Sequence, residues 1–275
     1  MMRTVSLLFA LCLSAFSAPS LAAAPGSGVQ RLYILNCGEG LVGDISRWSP
    51  GVNIGQSRPF VTNCYLIKHG DDWMLWDTGL ADVVADMPDG QRPADPRAIH
   101  WRLPQKLSVQ LQQLGLEPSK IKFVAISHSH GDHVGNVAMF PQSTLLVQKA
   151  EYEWPSPTGG PRFPAGVQAK LLEGDYDVFG DGSVILISTP GHTPGHQSLL
   201  VKLPKTGALL LPGDAVHFRE NWESRRVPEF NTNKEQTTSS MQRMAELIAK
   251  HNAQLWINHD RAQRDALKLA PAFYE

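Results

Sequence analysis

The sequence predicts a single α/β domain, and three observations predict it. Apolar runs of strand length alternate with segments whose apolar residues recur at helical spacing. Side chains able to bind metal follow such runs directly, at separate points along the chain. No internal repeat, low-complexity tract or linker divides the chain after its N-terminal segment. The 275 residues are 42% hydrophobic and 19% charged, a globular composition long enough for one sizeable core. A formal net charge of −1 gives no electrostatic reason to expect nucleic acid or an acidic membrane surface as partner.

The N-terminus reads as a secretory signal peptide, residues 1–22. Arg3 precedes an apolar run from Val5 to Phe16, and small residues follow up to Ala24. Cleavage is expected near Ala22 or Ala23, leaving residues 23–275 as one domain. The run is too short to span a bilayer, and no later stretch is long and apolar enough. The expectation is a periplasmic or secreted protein with no stable membrane insertion after cleavage. Cys12 leaves with the signal. Cys37 and Cys64 remain, and an oxidising compartment permits a bridge between them. Two separate buried thiols fit the sequence equally well.

The elements follow in order. Arg31 to Leu35 reads as a first strand, and Gly38 to Pro59 as a long loop carrying Trp48. Val61 to Lys68 and Asp72 to Trp76 form a predicted hairpin turning at His69-Gly70-Asp71. Asp77-Thr78-Gly79 follows; it also occurs in aspartic proteases, but those need two such carboxylates and this chain has one such triplet. Residues 81–97 are acidic and Pro-rich and read mostly as loop. Lys106 to Leu114 is a helix stopped at Gly115, and Ile121 to Ile126 a buried strand. A helix is expected from Val134 to Phe140, then a strand at Thr144 to Gln148 and an aromatic-bearing loop from Trp154 to Pro164. Strands at Val184 to Ser188, Ser198 to Lys202 and Ala208 to Leu211 follow. Asn233 to His251 is the longest helix, with Met241, Met244, Leu247 and Ile248 on a core-facing side. Leu255 to Ile257 is a last strand and Arg261 to Lys268 a closing helix.

The chemistry centres on Ser127-His128-Ser129-His130-Gly131-Asp132-His133, where four metal-binding side chains fall within six residues after a strand. In an extended segment, residues two apart point the same way, so His128 and His130 can share an ion. Asp132 and His133, past Gly131, can face a second. His192, Asp214 and His259 each follow a later predicted strand. The expected sets are His128, His130 and His192 for one ion and Asp132, His133 and His259 for the other, with Asp214 bridging. That leaves open positions, as catalysis requires. Zinc suits these ligands first, and iron, manganese or cobalt are held by the same types.

His128-x-His130-x-Asp132-His133, followed by His192, Asp214 and His259, resembles the metallo-β-lactamase superfamily from about Gln30 to His259. The resemblance implies an αββα four-layer sandwich with the site at one edge of its two sheets. Asp214 matches the bridging carboxylate of the family's dinuclear hydrolases, which true β-lactamases lack. Thr189 to Leu199, Leu75 to Leu80 and His259-Asp260 are similar to the N-acyl-homoserine lactonases. Glyoxalase II shares the H-T-P-G-H element but usually adds a C-terminal helical domain, whereas this chain ends soon after His259. Many of these lactonases carry Tyr three residues after the bridging Asp, where this sequence has His217.

The implied activity is opening of the lactone ring of N-acyl-homoserine lactones, which is quorum quenching, by a hydroxide bridging two divalent metal ions. Asp132 would orient the nucleophile and pass its proton to the leaving alkoxide. His217 would donate a hydrogen bond to the substrate carbonyl. Asp77 either caps the turn at Gly79 or orients a ligating histidine, and the sequence leaves both open. His196 reads as a turn residue or a support behind the ligands. Trp48, Trp101, Trp154 and Phe163 either line an acyl-chain pocket or pack ordinarily. The partner expected is a small ester or lactone, with homodimer formation left open. The competing readings are an exported organophosphate or aryl-ester hydrolase of the same superfamily and a non-catalytic periplasmic metal-binding protein.

Overall fold

A long antiparallel hairpin founds the first sheet. β1 (Val29–Val42) and β2 (Arg58–His69) pair along nearly their whole length, and β3 (Asp72–Trp76) continues the meander. This computed structural model describes residues 28–157 and 159–275, so the signal segment expected at residues 1–22 lies outside the described residues. β5 (Phe123–Ala125), β6 (Thr144–Gln148) and β7 (Gln168–Leu172) add in parallel beyond β3, and β4 (Ile99–Arg102) pairs with the other edge of β1. The seven-stranded order is β4-β1-β2-β3-β5-β6-β7. The second sheet has five strands: β8 (Tyr176–Asp177), β9 (Val184–Ser188), β10 (Gln197–Leu203), β11 (Gly207–Leu211) and β12 (Gln254–Leu255), in the order β12-β11-β10-β9-β8.

Period-two alternation on these strands builds the layers. Leu32 and Ile34 of β1, with Tyr65 and Ile67 of β2, join Leu199, Val201, Leu209 and Leu211 in a core between the sheets. The opposite faces of β1 and β2, with Tyr33, Leu35 and Leu66, pack outward on Leu107 and Leu111 of α1 (Leu107–Gln113). On the far side, Leu200 and Leu210 meet Met241 and Met244 of α5 (Lys234–His251). The predicted α/β class and the αββα sandwich are therefore what the chain forms.

Several element boundaries differ from the sequence reading. β1 runs to Val42, through residues read as loop, because it has a partner on each edge there. The helix expected from Val134 to Phe140 is instead one α-turn, α2 (Gly131–Val134), then a 3-10 turn at Val137–Met139. The last strand covers Gln254–Leu255 only, and the closing helix is α6 (Arg261–Asp265). Five short elements had no clear sequence signal: β4, β7, β8, α3 (Lys149–Tyr152) and α4 (Arg219–Ser224). β7 is the edge strand of its sheet and is mostly exposed, which removes the apolar alternation that marks a strand.

The two cysteines left open above are bonded to each other. The β1–β2 register shifts between Asn36 and Gly38, so Cys37 is the extra residue of a bulge, and its sulfur reaches Cys64 across the ladder.

Candidate metal centre

The seven predicted ligands converge beyond β5, β9, β11 and β12. Nδ1 of His130 lies 2.9 Å from His128 Nε2 and 3.1 Å from His192 Nε2. The second set is looser: Asp132 Oδ2 is 3.5 Å from His133 Nε2 and 3.9 Å from His259 Nε2. Asp214 stands between them. Its Oδ1 is 2.7 Å from His259 Nε2 and 3.2 Å from His133 Nε2. Its Oδ2 is 3.5 Å from His192 Nε2 and 3.6 Å from His128 Nε2. One carboxylate oxygen thus faces each set, the arrangement a bridging ligand needs.

The remaining hydrogen bonds show that these nitrogens are prepared for cations. His192 Nδ1 is 2.9 Å from Asn231 Oδ1, and His259 Nδ1 is 2.6 Å from the Val61 carbonyl. Both acceptors call for an Nδ1–H, which leaves each Nε2 with a lone pair facing the centre. His133 Nδ1 donates to Asp77 Oδ2 at 2.8 Å, and His133 Nε2 is buried without any hydrogen-bond partner. A buried nitrogen left so is costly unless a cation meets it. His130 Nδ1, facing two other ring nitrogens, has one proton position at most and cannot serve both. The residues therefore fit a dinuclear metal site.

Electrostatics agree. Burial pushes His128 and His192 well below the usual imidazole range, and His130 below it, so these rings are neutral and able to ligate. Burial alone would raise the Asp214 carboxyl. His259, His133, His217 and His128 outweigh it and hold Asp214 well below the usual carboxylate range. Burial opposes charge on His133 too, but Asp214, Asp132 and Asp77 hold it well above the ordinary value, so this ring carries a proton that a cation would have to displace before it could ligate.

Each further residue singled out from sequence has a defined place. Asp77 takes the orienting role: besides His133, its carboxylate accepts from Ser127 N at 2.7 Å and Ser127 Oγ at 3.0 Å. Its backbone sits at φ 58°, a strained position for a residue other than glycine. His196 supports the bridging ligand. Its Nε2 accepts from Asp214 N at 3.0 Å while Nδ1 is 3.0 Å from the Thr189 carbonyl. A Cβ at Gly213 would lie 2.6 Å from His196 Nε2, and Gly213 has φ +54°, so this turn calls for glycine. His217 lies at the centre, where its Nε2 is 3.0 Å from Asp214 Oδ2, so its hydrogen bond goes to that carboxylate. Burial lowers its pKa, so it donates there as a neutral ring, and its buried Nδ1 has no hydrogen-bond partner.

Aromatic rings wall the centre. Phe60 stacks on His259 at 4.2 Å, and Phe230 approaches His192 at 6.0 Å and His217 at 6.2 Å. Trp48 contacts Phe230 at 5.4 Å and His217 at 6.5 Å. Trp48 and Trp101 line a cavity of about 330 Å³ together with Ile99 and Phe230. Trp154 lies 6.3 Å from His130, but Phe163 packs into the outer core against Tyr152. The four aromatics therefore do not form one pocket. Sequence reasoning missed Glu151, Asn231, Phe60 and Phe230. Glu151 lay directly past a correctly predicted strand, where the ligands also occur, and that position was its one signal.

Comparison with known proteins gives the same grouping. Residues 57–250 match the model of the metallo-beta-lactamase superfamily. The chain is 34% identical over 261 residues to the N-acyl homoserine lactonase AttM of Azorhizobium caulinodans, covering 89% of this chain and 98% of that protein. It is 27% identical to the N-acyl homoserine lactonase AiiA of Bacillus thuringiensis subsp. kurstaki, covering 89% of this chain and 99% of that protein. Among solved structures it resembles an N-acyl homoserine lactone hydrolase with the product N-hexanoyl-L-homoserine bound at its catalytic metal centre. There the TM-score is 0.79 and the identity 27%, covering 90% of this chain and all of the other. With the fold, the paired ligand sets and the bridging Asp214 in agreement, the chain belongs to the metallo-β-lactamase superfamily.

Proposed function

We propose that this protein is a dinuclear metal-dependent hydrolase that opens the lactone ring of N-acyl homoserine lactones. The observation that carries the reading is Asp214, which offers one oxygen to each of two histidine-containing sets. A storage or transfer protein has no use for that sharing. The relatives named above are lactonases matched over almost their full length, which supplies the substrate class.

We infer zinc as the metal, since five imidazole nitrogens and two carboxylates suit it. Two such cations would supply Lewis acidity and lower the pKa of water toward about 7. The chain's own groups do the rest. Asp132 has a side chain 16% exposed, against 6% for Asp214, so it is the carboxylate at the centre more open to substrate and solvent. It takes the proton from the attacking water and returns it to the ring oxygen as the ester bond breaks, giving the open hydroxy acid. His217 contributes by fixing Asp214 Oδ2. The cavity by Trp48, Ile99, Trp101 and Phe230 takes the acyl tail.

Export to the periplasm or beyond is part of the proposal. The signal-like residues 1–22 and the Cys37–Cys64 bond support it. N-terminal sequencing of protein from a periplasmic fraction tests it, with a start near Ala23 expected. Sedimentation velocity tests whether the protein is a homodimer.

The deciding experiment is a substrate panel on the purified mature protein, with acid release followed directly. It contains short- and long-chain homoserine lactones, an aryl ester, a phosphotriester and a cephalosporin. Lactones are expected to be the best substrates. Turnover of the phosphotriester with none of the lactones would overturn the reading.

A further inference from the structure

The most deeply buried carboxylate outside the ligand sets is that of Glu151, fully buried on α3. It makes no ion pair among the described residues, yet it accepts four hydrogen bonds. Oε1 receives Ser129 N at 2.8 Å and Ser129 Oγ at 2.6 Å. Oε2 receives Thr193 Oγ1 at 2.7 Å and Gly195 N at 3.0 Å. Charge-assisted bonds of this kind are strong, and a buried carboxylate needs them.

The division between the two oxygens carries the argument. Ser129 lies between His128 and His130, and Thr193 follows His192. Oε1 therefore holds the loop that supplies two imidazoles of one set, and Oε2 holds the loop that supplies the third. No donor to Glu151 lies beside His133 or His259. The approach is close: a Cβ at Gly195 would lie 2.1 Å from Glu151 N, so that loop carries glycine where it meets α3. Asp77 supports His133 of the other set directly and reaches His128 only through the Ser127 hydroxyl.

We propose that Glu151 is the positioning residue for the His128–His130–His192 ion alone. It locks two loops from different sheets in register, so that the two ions are held with separately adjustable affinity. The proposal rests on the two-ion reading of the centre and is independent of the substrate.

Glu151→Gln is the informative change. Whichever loop then meets the amide NH2 presents a backbone N–H that cannot reverse, so one side of the clamp opens. The test is titration of the metal-free protein with zinc against a competing chelator, with metal counted per chain. Wild type is expected to bind two ions. In Glu151→Gln one binding step weakens about 10–100-fold, the cost usual for losing a supporting partner, and the other step does not move. In His130→Ala, which lacks a ligand of the affected set, adding Glu151→Gln changes nothing further. Thr193→Val removes one donor at constant shape, and the same single step should weaken by less; it serves as the test if Glu151→Gln does not fold. Equal weakening of both steps would mean a general structural role and would overturn the proposal, as would no weakening. Fewer than two ions in wild type would overturn the two-ion reading itself, a result distinguishable from the other two.

Discussion

Asp77 Oδ2 lies 2.8 Å from His133 Nδ1, and the same oxygen is 3.0 Å from Ser127 Oγ, which in turn lies 3.0 Å from Nδ1 of His128. One carboxylate thus orients a histidine of each ligand set, one directly and one through a hydroxyl. Asp77→Asn keeps the shape but replaces one acceptor oxygen with a donor. Metal affinity is expected to fall about 10–100-fold, more for the His133 set, with the circular dichroism of the fold unchanged. Metal content after dialysis against graded chelator checks this.

Asp214→Ala removes the carboxylate that offers one oxygen to each ligand set. Lactone hydrolysis should fall by more than about 100-fold, beyond the usual cost of losing a mere support. Steady-state kinetics at saturating zinc is the measurement. Survival of full activity would show that the ions are not coupled through this residue.

Acid stability should depend on His196. Burial lowers its pKa to about 3 in the folded chain, against about 6.5 for an unperturbed histidine. Between those values the unfolded chain binds a proton that the folded chain refuses, so stability falls as pH falls through that window. The expected slope from this one group is about 1.4 kcal/mol per pH unit. Urea titrations of the metal-free protein from neutral pH downward should show a slope smaller by about that amount in His196→Gln.

Reduction should cost stability. The Cys37–Cys64 bond closes a loop of sequence separation 27, for which chain entropy predicts roughly 3.5 kcal/mol. A Cys37→Ala/Cys64→Ala variant and the reduced wild type should show similar losses in urea midpoints.

Chain-length preference should respond to Ile99, which lines the tail cavity and belongs to neither ligand set. Ile99→Trp fills space that a long tail would occupy. Lost contact for two methylenes at about 0.8 kcal/mol each corresponds to a rise in KM of about tenfold. That rise is expected for a decanoyl lactone, with kcat and the short-chain lactone unaffected.

Much of this centre was legible in the sequence because its ligands obey a local rule. His128 to His133, His192, Asp214 and His259 all follow apolar runs, and strand ends on a rigid scaffold are where functional groups gather. What could not be read depends on distant partners. Asp77 meets His133 across 56 residues, Asn231 meets His192 across 39, and Glu151 reaches Thr193 across 42. No spacing rule links such pairs. The direction of His217 belongs to the same class, since only the folded chain shows which acceptor its ring finds. Boundaries failed where pairing overrode composition, as in β1, whose glycines read as loop until β2 and β4 gave it two partners.

The origin of the ligands has a mechanical consequence. β5, in the first sheet, delivers His128 to His133, whereas β9, β11 and β12, in the second, deliver His192, Asp214 and His259. Each ion would therefore be gripped from both halves of the sandwich, like a rivet through two plates. Stripping the metal would do more than silence the chemistry: it would leave five imidazoles and two carboxylates crowded at an unfastened seam. Hydrogen exchange along that seam, compared with the outer faces of the sheets, would register the fastening as slow exchange that is lost with the ions.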